Sequence, residues 1–143
     1  MNKRKTGTEW EKAAADYLTE QGVQIIKTNF QCRQGEIDLI GYHQGYLVFV
    51  EVKYRSGQEM GHVLEAVDTR KQRKICRVAD YYRYLHGIGD DMGIRYDVIG
   101  IQAEKGYSAD KEEPVGKGYS AEDIEWIQNA FPHIYNERAT GWK

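Results

Sequence analysis

The chain has 143 residues, 41% of them hydrophobic and 29% charged, with a formal net charge of -2. That length and balance suit a single domain, residues 1–143, around one core. The near-neutral charge excludes global attraction to nucleic acid or anionic lipid, so a polyanion partner would have to be met by a local basic patch. No apolar run approaches a membrane span, and the charged start "MNKRKTGTEWEK" lacks the apolar core of a secretory signal, so no membrane association is expected. Cys32 and Cys76 lie far apart and outside any C-x-x-C pattern, which points to two free thiols in a reducing cytoplasm.

The first element reads as a helix. Trp10, Ala13, Ala14, Tyr17 and Leu18 repeat at the spacing of one apolar face, Thr8 with Glu11 has capping-box spacing, and Gly22 supplies a stop. "VQIIKTNF" and the two runs within "GEIDLIGYHQGYLVFVEVKYR" (residues 35–55) then read as three strands. A second helix is expected within "VDTRKQRKICRVADYYRYLHG". Its apolar face is Ile75, Val78, Ala79, Tyr82 and Leu85, its start is a capping box at Thr69 and Gln72, and its end is Gly87. "IRYDVIGI" returns to strand character. Residues 102–120, polar, Gly-rich and broken by Pro114, read as a surface loop. The closing "IEWIQNAF" suits an edge strand better than a short helix started by Ser120-Ala-Glu-Asp123. One helix, three strands, a helix and two strands make an α/β fold with a mixed sheet.

The charges inside the apolar hairpin are the feature that calls for an explanation. A turn centred on Gln44-Gly45 sets Asp38 opposite Glu51 and Glu36 opposite Lys53, and alternation puts all four on one face. Ile37, Leu39, Val48, Val50 and Val52 then form a dry face on the other side. Two carboxylates directly across a strand pair repel, and burial sharpens the conflict. A divalent cation resolves it, and oxygen ligands with no His or Cys beside them point to Mg²⁺ or Mn²⁺. Lys53 lies about 6.6 Å beyond Glu51 on the same side, placed for a phosphate oxygen or a water. The same spacing also suits a solvated sheet face with Lys53 paired to Glu36. Ile40 and Phe49 on that side argue for partial burial instead.

Asp38, followed by Glu51-Val52-Lys53 at the end of an apolar strand, resembles the core of the PD-(D/E)xK nuclease superfamily. "GEIDLI" with "FVEVKYR", together with "GTEWEKAAADYL", "RKQRKI", "RYDVI" and "IQNAF", resembles more closely the YraN family of bacterial proteins, itself similar to archaeal Holliday junction resolvases. The resemblance implies a restriction-endonuclease-like three-layer sandwich, with a central mixed β-sheet flanked by helices. It also implies metal ligands at Asp38 and Glu51, a catalytic lysine at Lys53, and a further acidic group at Glu11 near the metal or its water. Glu36 stands where the superfamily has its proline. The implied activity is metal-dependent hydrolysis of DNA, branched or damaged, during repair or recombination, and by analogy with the resolvases a homodimer. A non-catalytic DNA-binding module of the same fold and an interaction protein with a structural metal are the alternatives.

The second helix opens with Arg70, Lys71, Arg73, Lys74 and Arg77. Cations there oppose the helix dipole by about 0.3–1 kcal/mol each. The cluster is easier to understand if a phosphate is shared with the free N–H groups of the first turn. Lys71 is the leading phosphate contact, with Arg70 and Gln72 beside it and Arg55 just past the catalytic lysine. Arg73, Arg77 and Arg83 suit a solvated helix face. "NKRK" at residues 2–5 reads as a basic arm.

Overall fold

Each helix of the computed structural model covers one face of a five-stranded sheet, and the structure describes residues 7–55, 63–102 and 124–135. The order along the chain is α1 (Gly7–Glu20), β1 (Gln24–Cys32), β2 (Gly35–His43), β3 (Tyr46–Arg55), a 3₁₀ turn (Val63–Ala66), α2 (Thr69–Leu85), β4 (Ile94–Gln102) and β5 (Ile124–Phe131). The strands lie in sequence order in the sheet. All neighbours are antiparallel except β3 and β4, whose parallel pairing uses α2 as its crossover. The fold is α/β with a mixed sheet and two helices, compatible with a restriction-endonuclease-like sandwich. Among the described residues, no helix is long and apolar enough to cross a membrane.

The helices end as their glycines predict. Val23 N–H donates to Leu18 O at 2.9 Å and Gly22 N–H to Thr19 O, with Gly22 at φ 100°. This is a Schellman motif, and Val23 and Leu18 are both buried in the same cluster. Ile88 N–H to Arg83 O and Gly87 at φ 64° repeat the device on α2. The helix starts differ from expectation. α1 begins at Gly7, which places Thr8 inside its first turn. α2 is capped by Asp68, whose Oδ1 accepts from Lys71 N–H at 2.9 Å, and not by Thr69. Aspartate accepts from N–H groups as well as threonine does, and it stands one residue earlier. Leu85, expected on the apolar face, is half exposed at the last position of α2.

Two cores result. Trp10, Ala14, Leu18 and Val23 pack on Leu39, Val48, Val50, Ile99 and Ile101 beneath α1. Ile75, Cys76, Val78, Ala79 and Tyr82 of α2 pack on Ile37, Ile40, Leu47, Phe49, Tyr96, Val98 and Phe131. Cys32 and Cys76 are both free thiols. The expected edge strand is β5. The expected surface loop at 102–120 lies outside the described residues, apart from Gln102 at the end of β4, as does the basic arm at residues 2–5.

Two polar networks fix the β4–β5 side of the sheet. Asp97, 1% exposed, takes Arg95 Nε and Nη2 on its two oxygens at 2.9 Å each. The same carboxylate accepts from Trp126 Nε1 and from the backbone N–H of Asn129, both at 2.9 Å. The β4–β5 register slips between Tyr96 and Val98, and Asn129 sits at φ 53°, so the carboxylate fills the bulge. Arg95 also meets His43 Nδ1 at 2.9 Å. Beyond β5, His133 bonds the Tyr96 hydroxyl at 2.6 Å and Asp80 at 3.4 Å. Hydrogen bonding to Asp80 and Cys76 pushes its imidazole up to about 9. Replacing Asp97 with Asn strands the buried Arg95 charge, so Asp97→Asn is expected to lose about 3–5 kcal/mol in urea unfolding. Arg95→Met/Asp97→Leu is expected to recover part of that loss.

Candidate active site

The acids of the hairpin sit where the sheet forks. Gln44 (φ 53°) and Gly45 (φ 85°) make the tight turn, and the β2–β3 ladder runs in the expected register from His43↔Tyr46 to Leu39↔Val50. It stops there. Beyond this point β2 stays paired with β1 through Gly35, and β3 stays paired with β4 through Arg55. Val52 N–H therefore has no strand partner on the β2 side, and Asp38 Oδ2 accepts it at 2.7 Å. The fork also breaks the alternation of β2. Ile37 packs beneath α2 while Leu39 packs beneath α1, so the single dry face expected for Ile37, Leu39 and the β3 valines is divided between the two cores. The expected cross-strand contact of Lys53 with Glu36 lies beyond the last rung of the ladder, and Lys53 instead reaches Glu51 within its own strand.

Asp38 and Glu51 are each 7% exposed. Glu51 Oε2 receives Lys71 Nζ at 2.9 Å and Lys53 Nζ at 3.2 Å. Glu11 comes in from α1 and shares a side-chain hydrogen bond with Asp38, which places it at the acidic cluster and not in a capping box. Burial, then the charge of Glu51, pushes the Asp38 carboxyl up to about 8 against the pull of the Val52 N–H. Burial and the charges of Glu36 and Glu51 raise Glu11 as well. Burial and Lys71 lower the Lys53 ammonium, while Lys71, although partly buried, is held above its ordinary value by hydrogen bonds to Lys53 and Glu51.

A cleft of about 310 Å³ opens beside this cluster, lined by Gly35, Glu36, Glu51, Asp68, Arg70, Lys71, Lys74 and Ile75. Of the expected phosphate contacts, Arg70 and Lys71 line it. Gln72 does not, since its amide donates to Val67 O at 3.0 Å and ties the 3₁₀ turn to α2. Arg55 lies at the far end of β3, level with Gln102. Arg73 and Arg77 face solvent, and Arg83 is held by Asp80, Asp90 and Gly89 O. Lys74, part of the expected cation cluster but not named as a phosphate contact, joins the cleft with Glu36 of the polar hairpin face. For Lys74 the signal was available, one helical turn on from Lys71.

Among the described residues, no three His, Cys, Asp or Glu side chains are grouped to hold a metal ion. Asp38 and Glu51 are hard oxygen donors that repel each other. Mg²⁺ is commonly held by one or two carboxylates and water, so this donor set fits it.

The match to known proteins agrees with these motifs. Residues 10–101 match the model of the uncharacterised protein family UPF0102. A UPF0102 protein of Lachnoclostridium phytofermentans is 45% identical over 105 residues, 73% of this chain and 89% of that one. The chain belongs to family UPF0102, the YraN family. UPF0102 proteins of Alcanivorax borkumensis and Acetivibrio thermocellus are each 39% identical to it, over 91% of this chain and 94% and 93% of theirs. The matched UPF0102 span takes in Glu11, Asp38, Glu51, Lys53 and the first turn of α2.

The raised Asp38 has a consequence for stability. Its folded pKa lies above the unfolded value, so its contribution is fully present below about pH 4 and is lost as pH rises through about 8. Asp38→Asn keeps an acceptor for Val52 N–H and removes the charge. In chelator-treated buffer it is expected to be more stable than the wild type at pH 8.5 by at least ~1 kcal/mol, with the gap closing toward pH 5. Thermal unfolding across that range checks it; a gap independent of pH contradicts the assignment.

Proposed function

We propose that this chain is a metal-dependent endonuclease-like protein that hydrolyses phosphodiester bonds in DNA. The observation that supports this most strongly is the convergence of Asp38, Glu51 and Lys53 at the fork, beside a cleft lined by Arg70, Lys71 and Lys74. A structural role explains one part of it only. A neutral asparagine would cap Val52 N–H equally well, and four acids at Glu11, Glu36, Asp38 and Glu51 would be a poor choice for stability.

Asp38 and Glu51 would hold Mg²⁺ or Mn²⁺, with Glu11 beside Asp38. When bound, the ion supplies a Lewis acid and a water of lowered pKa. Lys53, fixed on β3 two residues from Glu51, would stabilise the negative charge that develops on the phosphoryl group. Arg70, Lys71 and Lys74 hold backbone phosphates, which positions the strand without reading its sequence. The membership in UPF0102 adds the motif order and not an activity.

Cleavage of linear duplex, flap and four-way-junction DNA with Mg²⁺ or Mn²⁺ tests the reading. Lys53→Ala is expected to slow cutting by about 10²–10³-fold and to leave metal binding in place, because the lysine is not a ligand. Arg70→Ala/Lys71→Ala is expected to weaken binding to every DNA and to lower the salt slope by about one per residue. Structure-selective binding with no cutting by the wild type would replace the nuclease with a DNA-binding module. Neither binding nor cutting would leave the interaction-protein reading.

A further inference from the structure

Glu51 already has its counter-ions. A single oxygen, Oε2, takes Lys71 Nζ at 2.9 Å and Lys53 Nζ at 3.2 Å. A divalent cation on the same carboxylate would be repelled by two ammonium groups, and the departure of one relieves that repulsion. The two lysines are not equally free to do so. The side chain of Lys53 is 22% exposed and leaves β3 only two residues from Glu51. The side chain of Lys71 is 40% exposed and reaches the carboxylate from another element, across the cleft.

The backbone of Lys71 is fixed, and its side chain is tied to Glu51 at the ammonium tip. Its N–H is held by Asp68 Oδ1 at 2.9 Å, which anchors the first turn of α2. The flexible four-carbon stem can swing from Glu51 into the cleft, where Arg70 and Lys74 already concentrate positive charge. A phosphate in that cleft would give the released ammonium a new partner.

We propose that Lys71 is the resident counter-ion of Glu51, exchanged for a divalent cation on loading and thereby released to bind a nucleic-acid phosphate. This deepens the nuclease reading above and rests on it. Lys71 is a positioning residue in this account. It masks the metal ligand before loading and couples the two ligands when they bind. By linkage, the cation must raise the affinity for phosphate as much as phosphate raises the affinity for the cation.

Calorimetric titration of the full chain with Mn²⁺ in the absence of DNA tests the masking. Lys71→Met is expected to bind Mn²⁺ roughly 5- to 150-fold more tightly than the wild type, the range typical of coupled sites. Lys74→Met removes an equal charge from the same cleft without touching Glu51, and is expected to tighten binding far less. Lys71→Met equal to or weaker than the wild type, or Lys74→Met tightening as much, would overturn the exchange. A wild type that binds no Mn²⁺ beside a Lys71→Met that does would confirm the mask in its strongest form. No binding by either would overturn the metal reading itself, and the exchange with it. In a second arm, binding of a short duplex is measured with and without Ca²⁺. The wild type is expected to gain affinity from Ca²⁺ and Lys71→Met to lose most of that gain; an equal gain in both would overturn the release to phosphate.

Discussion

A sheet that splits between two strands leaves backbone groups without ladder partners, and the rest of this site follows from how one such group is satisfied. The β2–β3 pairing ends at Leu39↔Val50, and the next free donor on β3, Val52 N–H, is taken by the Asp38 carboxylate at 2.7 Å. An unmet N–H at that depth would cost as much as a lost hydrogen bond. Asp38 is therefore held at the mouth of the fork by the backbone, with little freedom to move away from Glu51. The same split divides Ile37 from Leu39, so each sheet face keeps its own core up to the edge of the acidic cluster.

The other charge networks among the described residues are arranged differently. Asp97 meets four donors, and its partner Arg95 has a further contact at His43, so the charge is balanced and every oxygen is used. His133 joins Asp80 and Tyr96 and ties the segment after β5 onto α2 and β4. At the fork the acids outnumber the cations that touch them. Asp38 and Glu11 share a side-chain hydrogen bond, and Glu51 draws in two lysines. Asp97 is satisfied by four donors, whereas burial and the charge of Glu51 push the Asp38 carboxyl up to about 8.

Much of this was legible in the sequence because it depends on local chemistry. The turn at Gln44-Gly45 needs positive φ at both residues, and it placed the hairpin register correctly. Gly22 and Gly87 ended the helices for the same reason. The apolar spacing of α1 gave its buried face in full. What was not legible depends on where strands part. Strict alternation placed Ile37 with Leu39, and only the fork sends them to opposite cores. It also paired Lys53 with Glu36, a contact that the early end of the ladder removes. Gln72 carried the polarity of a phosphate contact, but its amide is taken by Val67 O. The Arg95–Asp97–Trp126 network depends on a bulge in β5 whose signal, Asn129 at φ 53°, is invisible to a two-residue period. The contact of Lys71 with Glu51 spans two elements, and nothing in the spacing of either element announces it.

In the function proposed above, the carboxylates at the fork form a cation site and not merely a strand cap. Anomalous diffraction from crystals equilibrated with Mn²⁺ tests it most directly. The expected result is a manganese peak between Asp38 and Glu51, with Lys71 Nζ moved away from Glu51 Oε2. Both lysines still on Glu51, and no peak at these two carboxylates, would contradict it.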